Sequence, residues 1–174
     1  MKTPELSLPK PRYLNFLGFL LSAAMMAYAL YAEHVLHLMP CPLCILQRIA
    51  VISLGIVFLA SAIHDSQGYG RKIYAALLSI AATAGAVVAG RHVWLQVMPE
   101  DQVPACGPGY DYIIESFPFS EALALIFAGS GECADVDWYF LGLSMPAWVL
   151  ISFVAIGLAG VWNNLRATGN TSPA

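Results

Sequence analysis

The sequence predicts an all-α membrane protein, a bundle of four transmembrane helices with a short interfacial helix in its second outer loop. The first observation is composition: 59% of the 174 residues are hydrophobic and 11% are charged, whereas soluble domains carry about 25% charged residues. The second is a set of four apolar stretches, each close to the roughly 20 residues that span a bilayer. These stretches cover residues 14–32, 44–63, 73–97 and 145–162.

The third observation is the distribution of positive charge. Most lysines and arginines lie before the first stretch, between the second and third, or after the fourth. By the positive-inside rule these segments face the cytoplasm. Residues 93–164 contain no lysine or arginine, so the segment 98–144 is predicted to be a long outer loop. The chain is predicted to be a single membrane domain, residues 1–174, with both termini cytoplasmic and no nucleic-acid partner. The inner residues are Lys2, Lys10, Arg12, Arg71, Lys72 and Arg166.

The first apolar stretch follows a basic N-terminal segment, a combination that is also found in cleaved signal peptides. Residues 27–29 resemble a cleavage site, but the apolar run continues to Ala32 and is long enough for a spanning helix. A membrane span is therefore the favoured interpretation. Glu33, His34 and His37 are predicted to form a short outer turn before the second stretch.

The second stretch opens with Cys41 and Cys44, separated by two residues. Proline is favoured at the first helical position, so Pro42 predicts Cys41 as the N-cap and Cys44 one turn into a helix. A thiolate at Cys44 would lie near unpaired N–H groups at the positive end of that helix, which makes it reactive. Arg48 follows one turn deeper on the same face, where a guanidinium can neutralise a thiolate or hold an anionic electron acceptor.

The same cysteine pattern is typical of two other kinds of site. It forms half of many zinc sites, and it also occurs as two inert buried thiols. The alternative function is therefore a four-span metal-binding or metal-handling protein, with the cysteines and His34 or His37 as ligands. Purified protein would then carry stoichiometric metal.

The third stretch carries a structural pattern and a candidate site residue. Ala81, Gly85 and Ala89 recur every four residues, which predicts close packing against a neighbouring helix. Near the outer end, His92 has two interpretations: an interfacial side chain, or part of a pocket beside the dithiol helix.

Two cysteines lie in the outer loop, in segments rich in glycine. Cys106 lies among prolines and glycines, which predict little regular structure. Residues 117–128 are strongly apolar but too short to span, so they are predicted to form a helix along the membrane surface. Cys133 follows in a flexible turn.

Four cysteines allow three pairings, and the sequence alone does not choose among them. The local spacing favours Cys41 with Cys44, which leaves Cys106 with Cys133. A pair of cysteines separated by two residues suits redox chemistry more than stabilisation. The organisation thus indicates a relay from a disulfide near a soluble partner to a dithiol near an acceptor in the lipid.

Nearly the whole chain resembles the disulfide bond formation protein B (DsbB) family. The resemblance rests on Cys41-Pro42-Leu43-Cys44 with Arg48, on Cys106 and Cys133, and on the run from Phe140 to Trp148. It implies a multi-pass protein of the inner membrane of Gram-negative bacteria, with its redox sites on the periplasmic side. It further implies an enzyme, a protein-disulfide oxidoreductase that reoxidises the periplasmic thiol oxidase DsbA and reduces ubiquinone or menaquinone.

The resemblance also implies roles for individual residues. Reduced DsbA would attack Cys106 of a Cys106–Cys133 disulfide, and Cys133 would then exchange with Cys41. Cys44 would leave as a thiolate that meets the quinone, with Arg48 beside the ring. His92, in the run from His92 to Gln96, matches a family histidine near the quinone.

Two comparisons limit these implications. The separation of His92 and Cys106 is one residue longer than in the best-known member, which weakens the assignment of His92. Vitamin K epoxide reductase-like enzymes also couple a membrane dithiol to a quinone, but their paired cysteines lie near the last span. Here they open the second, which favours DsbB.

Overall fold

The computed structural model of the protein describes residues 9–65, 67–104, 110–136 and 138–166. Among these residues, four helices are long and apolar enough to cross a membrane, which confirms the predicted fold class. Two shorter helices lie between the third and the last. In chain order the helices are α1 (Pro11–His34), α2 (Pro42–His64), α3 (Tyr69–Gln96), α4 (Tyr110–Ser116), α5 (Phe119–Ala128) and α6 (Met145–Arg166).

The bundle is built from α1 packed on α2, α2 on α3, and α3 on α6. Its core contains large side chains from α2, α3 and α6, including Phe58, Leu78 and Phe153. The small residues of α3 allow close approach: a Cβ placed on Gly85 would lie 2.3 Å from the ring of Phe153. The predicted small-residue face is therefore a contact with α6.

The outward faces of the long helices are apolar. Ile56, Ile80 and Leu158 are each more than 60% exposed although they lie in the middle of their helices. Lipid solvates such side chains without cost, whereas water does not. The exposed surface thus fits a bilayer.

The predicted outer loop, residues 98–144, is named the outer segment. It differs from the prediction in the start of its apolar helix and in an additional short helix. The apolar helix begins at Phe119, not at 117, because Pro118 takes the N-cap position and its fixed φ suits the residue that precedes a helix. The short helix α4 was not predicted. Two 3-10 turns also occur, at Glu100–Gln102 and Gly131–Cys133.

A small hairpin joins the outer segment to α6. Strand β1 (Tyr139–Phe140) pairs antiparallel with β2 (Leu143–Ser144). The two turn residues, Leu141 and Gly142, both have positive φ, as a tight primed turn requires. The indole N–H of Trp148 donates to the Phe140 carbonyl at 3.0 Å and attaches the hairpin to α6.

A buried polar cluster of Asn15, Ser61, Asn163 and Asn164 connects α1, α2 and α6 at the end opposite the cysteines. The amide nitrogen of Asn15 donates to Ser61 Oγ at 2.8 Å, and that of Asn164 donates to Asn15 Oδ1 at 3.0 Å. Each side chain thus finds partners on a different helix. The cluster was not predicted.

Candidate redox site

The dithiol lies at the start of α2, where Cys41 is the N-cap and Pro42 follows it, as predicted. The backbone N–H of Cys44 donates to Cys41 Sγ at 3.4 Å. The sulfurs of Cys41 and Cys44 are 3.2 Å apart, and both residues are free thiols. The local helix start is therefore sufficient to bring the two sulfurs together.

A third sulfur comes from the outer segment. Cys133, in the 3-10 turn after α5, is completely buried and packs with Cys41, Leu43 and Leu95. Its Sγ, the Sγ of Cys41 and a ring nitrogen of His92 all lie within 4.8 Å of one another. Cys41 Sγ thus lies 3.2 Å from Cys44 Sγ and within 4.8 Å of Cys133 Sγ, and this proximity is a condition for exchange between two cysteine pairs.

The hydrogen bonds among these thiols set their protonation. Hydrogen bonding to Cys41 lowers the pKa of Cys133 to about 6, although burial opposes the shift. The pKa of Cys41 is raised because its proton is held against the sulfurs of Cys133 and Cys44. These hydrogen bonds favour the thiolate of Cys133 in the reduced cluster, and the thiolate is the reactive form of cysteine.

His92 is buried within the thiol cluster. It is 3% exposed, and its Nε2 is 3.7 Å from Cys41 Sγ. Its Nδ1 is 2.9 Å from the amide nitrogen of Gln47, a residue that the sequence interpretation did not single out. Gln47 could have been recognised from the sequence as a polar amide within an apolar helix, because polar residues in membrane helices rarely occur without a function.

Arg48 projects from α2 toward α1. It forms an ion pair with Glu33 and donates to the Ala29 carbonyl at 3.4 Å. The predicted outer turn is wrong in this respect: Glu33 and His34 belong to the last turn of α1, because the helix continues to His34. Glu33 was missed as a partner since two helices must pack before it meets Arg48.

A cavity of about 140 Å³ lies beside the dithiol. Its walls come from α1, α2, α3, α6 and the outer segment. Methionine and valine side chains form the apolar part, while Arg48, Gln47, His92 and Gln96 supply hydrogen-bonding groups. Such a site fits a flat, mostly apolar molecule with a few polar oxygens.

Two expectations about the cysteines have different outcomes. Cys106 lies outside the described residues, so its pairing with Cys133 stays a prediction. The metal interpretation named His34 and His37, but the described group with ligand spacing consists of Cys41, His92 and Cys133.

The fold and the thiol cluster together define a class, a multi-pass membrane thiol–disulfide oxidoreductase. The chain belongs to the family "Disulfide bond formation protein DsbB", whose sequence profile matches residues 11–163. This membership favours the oxidoreductase over the metal-handling alternative.

Curated relatives named "Disulfide bond formation protein B" cover most of the chain. The relative from Nitrosococcus oceani is 49% identical over 158 residues, which is 91% of this chain and 94% of that protein. The relative from Hahella chejuensis is 50% identical over 151 residues, 87% of this chain and 90% of that protein. The relative from Methylococcus capsulatus is 48% identical over 164 residues, 92% of this chain and all of that protein. The protein is thus a bacterial membrane oxidoreductase that forms disulfides.

Proposed function

We propose that the protein oxidises a periplasmic DsbA-like thiol oxidase and passes the electron pair to a membrane quinone, ubiquinone or menaquinone. The observation that carries the proposal is the position of Cys41, which contacts Cys44 at the cavity and Cys133 from the outer segment. A single sulfur close to two others allows a disulfide to move from one pair to the next.

Each thiol–disulfide exchange only moves a disulfide from one pair of cysteines to another. Net oxidation of the thiols occurs only in the final step, in which the quinone is reduced. A thiolate of the partner attacks Cys106 of the Cys106–Cys133 disulfide, so a mixed disulfide forms and Cys133 leaves as a thiolate. The partner's second thiol then resolves that bond and departs oxidised. Cys133 attacks Cys41 of the Cys41–Cys44 disulfide, and Cys44 leaves as a thiolate.

The last steps restore both cysteine pairs. Cys106 attacks Cys133, which reforms the outer disulfide and releases Cys41. Cys41 and Cys44 then lose two electrons and two protons and become a disulfide again. A quinone supplies the acceptor for both, since its reduction to the quinol takes up two electrons and two protons.

The residues around the cavity fit a quinone head group. The apolar wall suits the ring, and the guanidinium of Arg48 carries N–H donors that suit a carbonyl oxygen. Glu33 holds Arg48 beside Cys44 and compensates its charge. A cation without a counterion at this depth would be costly.

Redox energetics place a requirement on the outer disulfide. A structural disulfide lies below about −300 mV and DsbA lies near −120 mV, so reduction of an ordinary loop disulfide by DsbA would be roughly 8 kcal/mol uphill. Either the outer disulfide is itself oxidising, or quinone reduction draws the exchange forward.

Quinone reduction by the purified protein tests the proposal. Reduced DsbA-like oxidase is added to the protein in detergent with a soluble ubiquinone or menaquinone analogue, and quinone absorbance is followed. One quinol is expected for every two partner thiols that are oxidised. The control is the Cys41→Ala, Cys44→Ala double variant. Oxidation of the partner without quinol formation would contradict the choice of acceptor.

We also propose that the redox site faces the periplasm and both termini face the cytoplasm, since positive charges flank the opposite ends of the helices. In intact cells, a membrane-impermeant thiol reagent should label Cys106 after reduction. It should not label a cysteine introduced at Ser66. The reverse labelling pattern would invert the topology.

A further inference from the structure

Gln47 is a buried polar residue that lines the cavity but takes no part in the proposed exchange steps. It lies three residues after Cys44 on α2 and is 5% exposed. Its amide nitrogen is 2.9 Å from Nδ1 of His92 on α3. Burying an amide in a membrane helix is costly unless its hydrogen bonds are made, so the contact with His92 offsets part of the cost of burying Gln47.

The orientation of the Gln47 amide favours one tautomer of His92. An amide nitrogen only donates hydrogen bonds, so Nδ1 of the neutral ring is the acceptor and carries no proton. The ring proton then resides on Nε2. Nε2 is the atom that lies 3.7 Å from Cys41 Sγ. The N–H of His92 is thus directed at the sulfur cluster.

We infer that Gln47 is a positioning residue for thiol exchange, because it holds His92 in the tautomer whose N–H faces the sulfurs. This inference rests on the proposed function. When Cys133 attacks Cys41, the S–S bond to Cys44 breaks and its electron pair leaves with Cys44. His92 is also a hydrogen-bond partner of Cys44, so a hydrogen bond from Nε2–H stabilises that thiolate, and no proton needs to move. In the other tautomer a nitrogen lone pair would face the negative charge.

Several ionisable side chains lie around His92 and contribute to the electrostatic field at its ring. Thiols come from α2 and from the turn after α5, and further ionisable side chains line the cavity from α1, α2 and the outer segment. These groups are Cys41, Cys44, Cys133, Glu33, Arg48, Glu132 and Asp135.

Nitrogen NMR of the histidine rings tests the tautomer directly. The protein is labelled with ¹⁵N-histidine, and His92→Gln identifies the His92 signals. Wild type is expected to carry the proton on Nε2. Gln47→Met, which keeps the side-chain length, is expected to give a mixture of both tautomers. In Gln47→Glu the carboxylate accepts from Nδ1–H, so a proton is expected on Nδ1. An unchanged tautomer in Gln47→Met would overturn the inference.

Kinetics separate positioning from a structural role. Gln47→Met is expected to lower turnover at saturating quinone roughly tenfold, the effect of one hydrogen bond to a charged group.

A matched control is Ser53→Ala, which removes an exposed hydroxyl of α2 that donates to the Ile49 carbonyl of its own helix. It should change neither the tautomer nor turnover. Equal turnover of Gln47→Met and Ser53→Ala would contradict the positioning role. The NMR measurement needs neither quinone nor partner, so it tests Gln47 even if the acceptor proposed above is wrong.

Discussion

Arg48 and Glu33 form a pair whose members act differently on an acceptor in the cavity. Both line the cavity beside Cys44, and the carboxylate holds the guanidinium toward α1. A quinone oxygen would receive a charge-assisted hydrogen bond from Arg48, and such a bond contributes about 1.5–3 kcal/mol. Loss of the guanidinium therefore weakens binding more than it affects folding.

We expect Arg48→Ala to raise the KM for quinone roughly tenfold or more, with turnover at saturation less affected. Arg48→Lys should have a smaller effect, because an ammonium keeps the charge and loses the planar fork. The measurement is steady-state quinone reduction with a dithiol donor. Glu33→Gln is the companion variant, since it keeps a hydrogen-bond acceptor for Arg48 and removes only the charge. Unchanged quinone kinetics in Arg48→Ala would remove Arg48 from the site.

The two cysteines of the outer segment should also be separable by substitution. In Cys133→Ala, Cys106 is a free thiol that can attack the disulfide of the oxidised thiol oxidase, and because Cys133 is absent to displace the partner, the mixed disulfide should accumulate. Cys106→Ala should accumulate much less of this complex. Non-reducing gel electrophoresis after acid quenching and alkylation measures it. Cys41 and Cys44 stay intact in both variants, so a difference between the variants reports on Cys106 and Cys133. If Cys106→Ala accumulates the complex and Cys133→Ala does not, the roles of these two cysteines are reversed.

At the scale of elements, the connection between α5 and the turn that carries Cys133 determines where that sulfur lies. Arg91 of α3 donates to the carbonyl of Ala128 at 2.8 Å, at the end of α5. Gly129 follows with φ 82° and ψ 165°, a conformation that is essentially restricted to glycine. A Cβ on Gly129 would lie 2.4 Å from Leu95 Cδ1. This short segment is therefore bound closely to α3.

Gly129→Ala should consequently displace the turn and slow exchange between Cys133 and Cys41. Backbone strain of this kind costs about 1–3 kcal/mol, which predicts a rate loss of at least severalfold if the strain is relieved by moving the turn. Rapid acid quenching and mass spectrometry of the disulfides measure the exchange. Gly90→Ala is the control, because the space around Gly90 is open. Equal exchange rates in the two variants would show that the turn tolerates a side chain.

At the scale of the whole molecule, polar contacts lie at opposite ends of an apolar bundle. The redox cluster occupies one end of α2, and the cluster of Asn15, Ser61, Asn163 and Asn164 occupies the other. The side chain of Asn164 makes hydrogen bonds to Asn15, to Ser61 and to the Gly160 carbonyl. Helix association in lipid depends on packing and on such hydrogen bonds, because the hydrophobic effect acts little between helices there.

Asn164→Leu should therefore destabilise the bundle by about 1–2 kcal/mol, the range of interhelical hydrogen bonds in membranes. Thermal unfolding in detergent measures this change. The dithiol at the other end should react at an unchanged rate in the folded protein. Ser152→Ala on the same helix is the comparison, since its hydroxyl bonds only to the Trp148 carbonyl of α6. Equal stability of the two variants would mean that packing alone holds α1 to α6.

The sequence by itself determined the fold class and the chemistry of the dithiol. Apolar length, charge placement and helix-start signals act locally, so the four helices and the N-cap position of Cys41 follow from nearby residues. The tertiary structure showed that Cys133 and His92, whose roles the family resemblance implied, both lie near Cys41. It alone identified Gln47 as the partner of His92. It also paired Arg48 with Glu33 and gathered the asparagines at the opposite end. These contacts depend on the rotation and offset of packed helices, which a stretch of apolar residues leaves undetermined because lipid accepts every face of the helix equally.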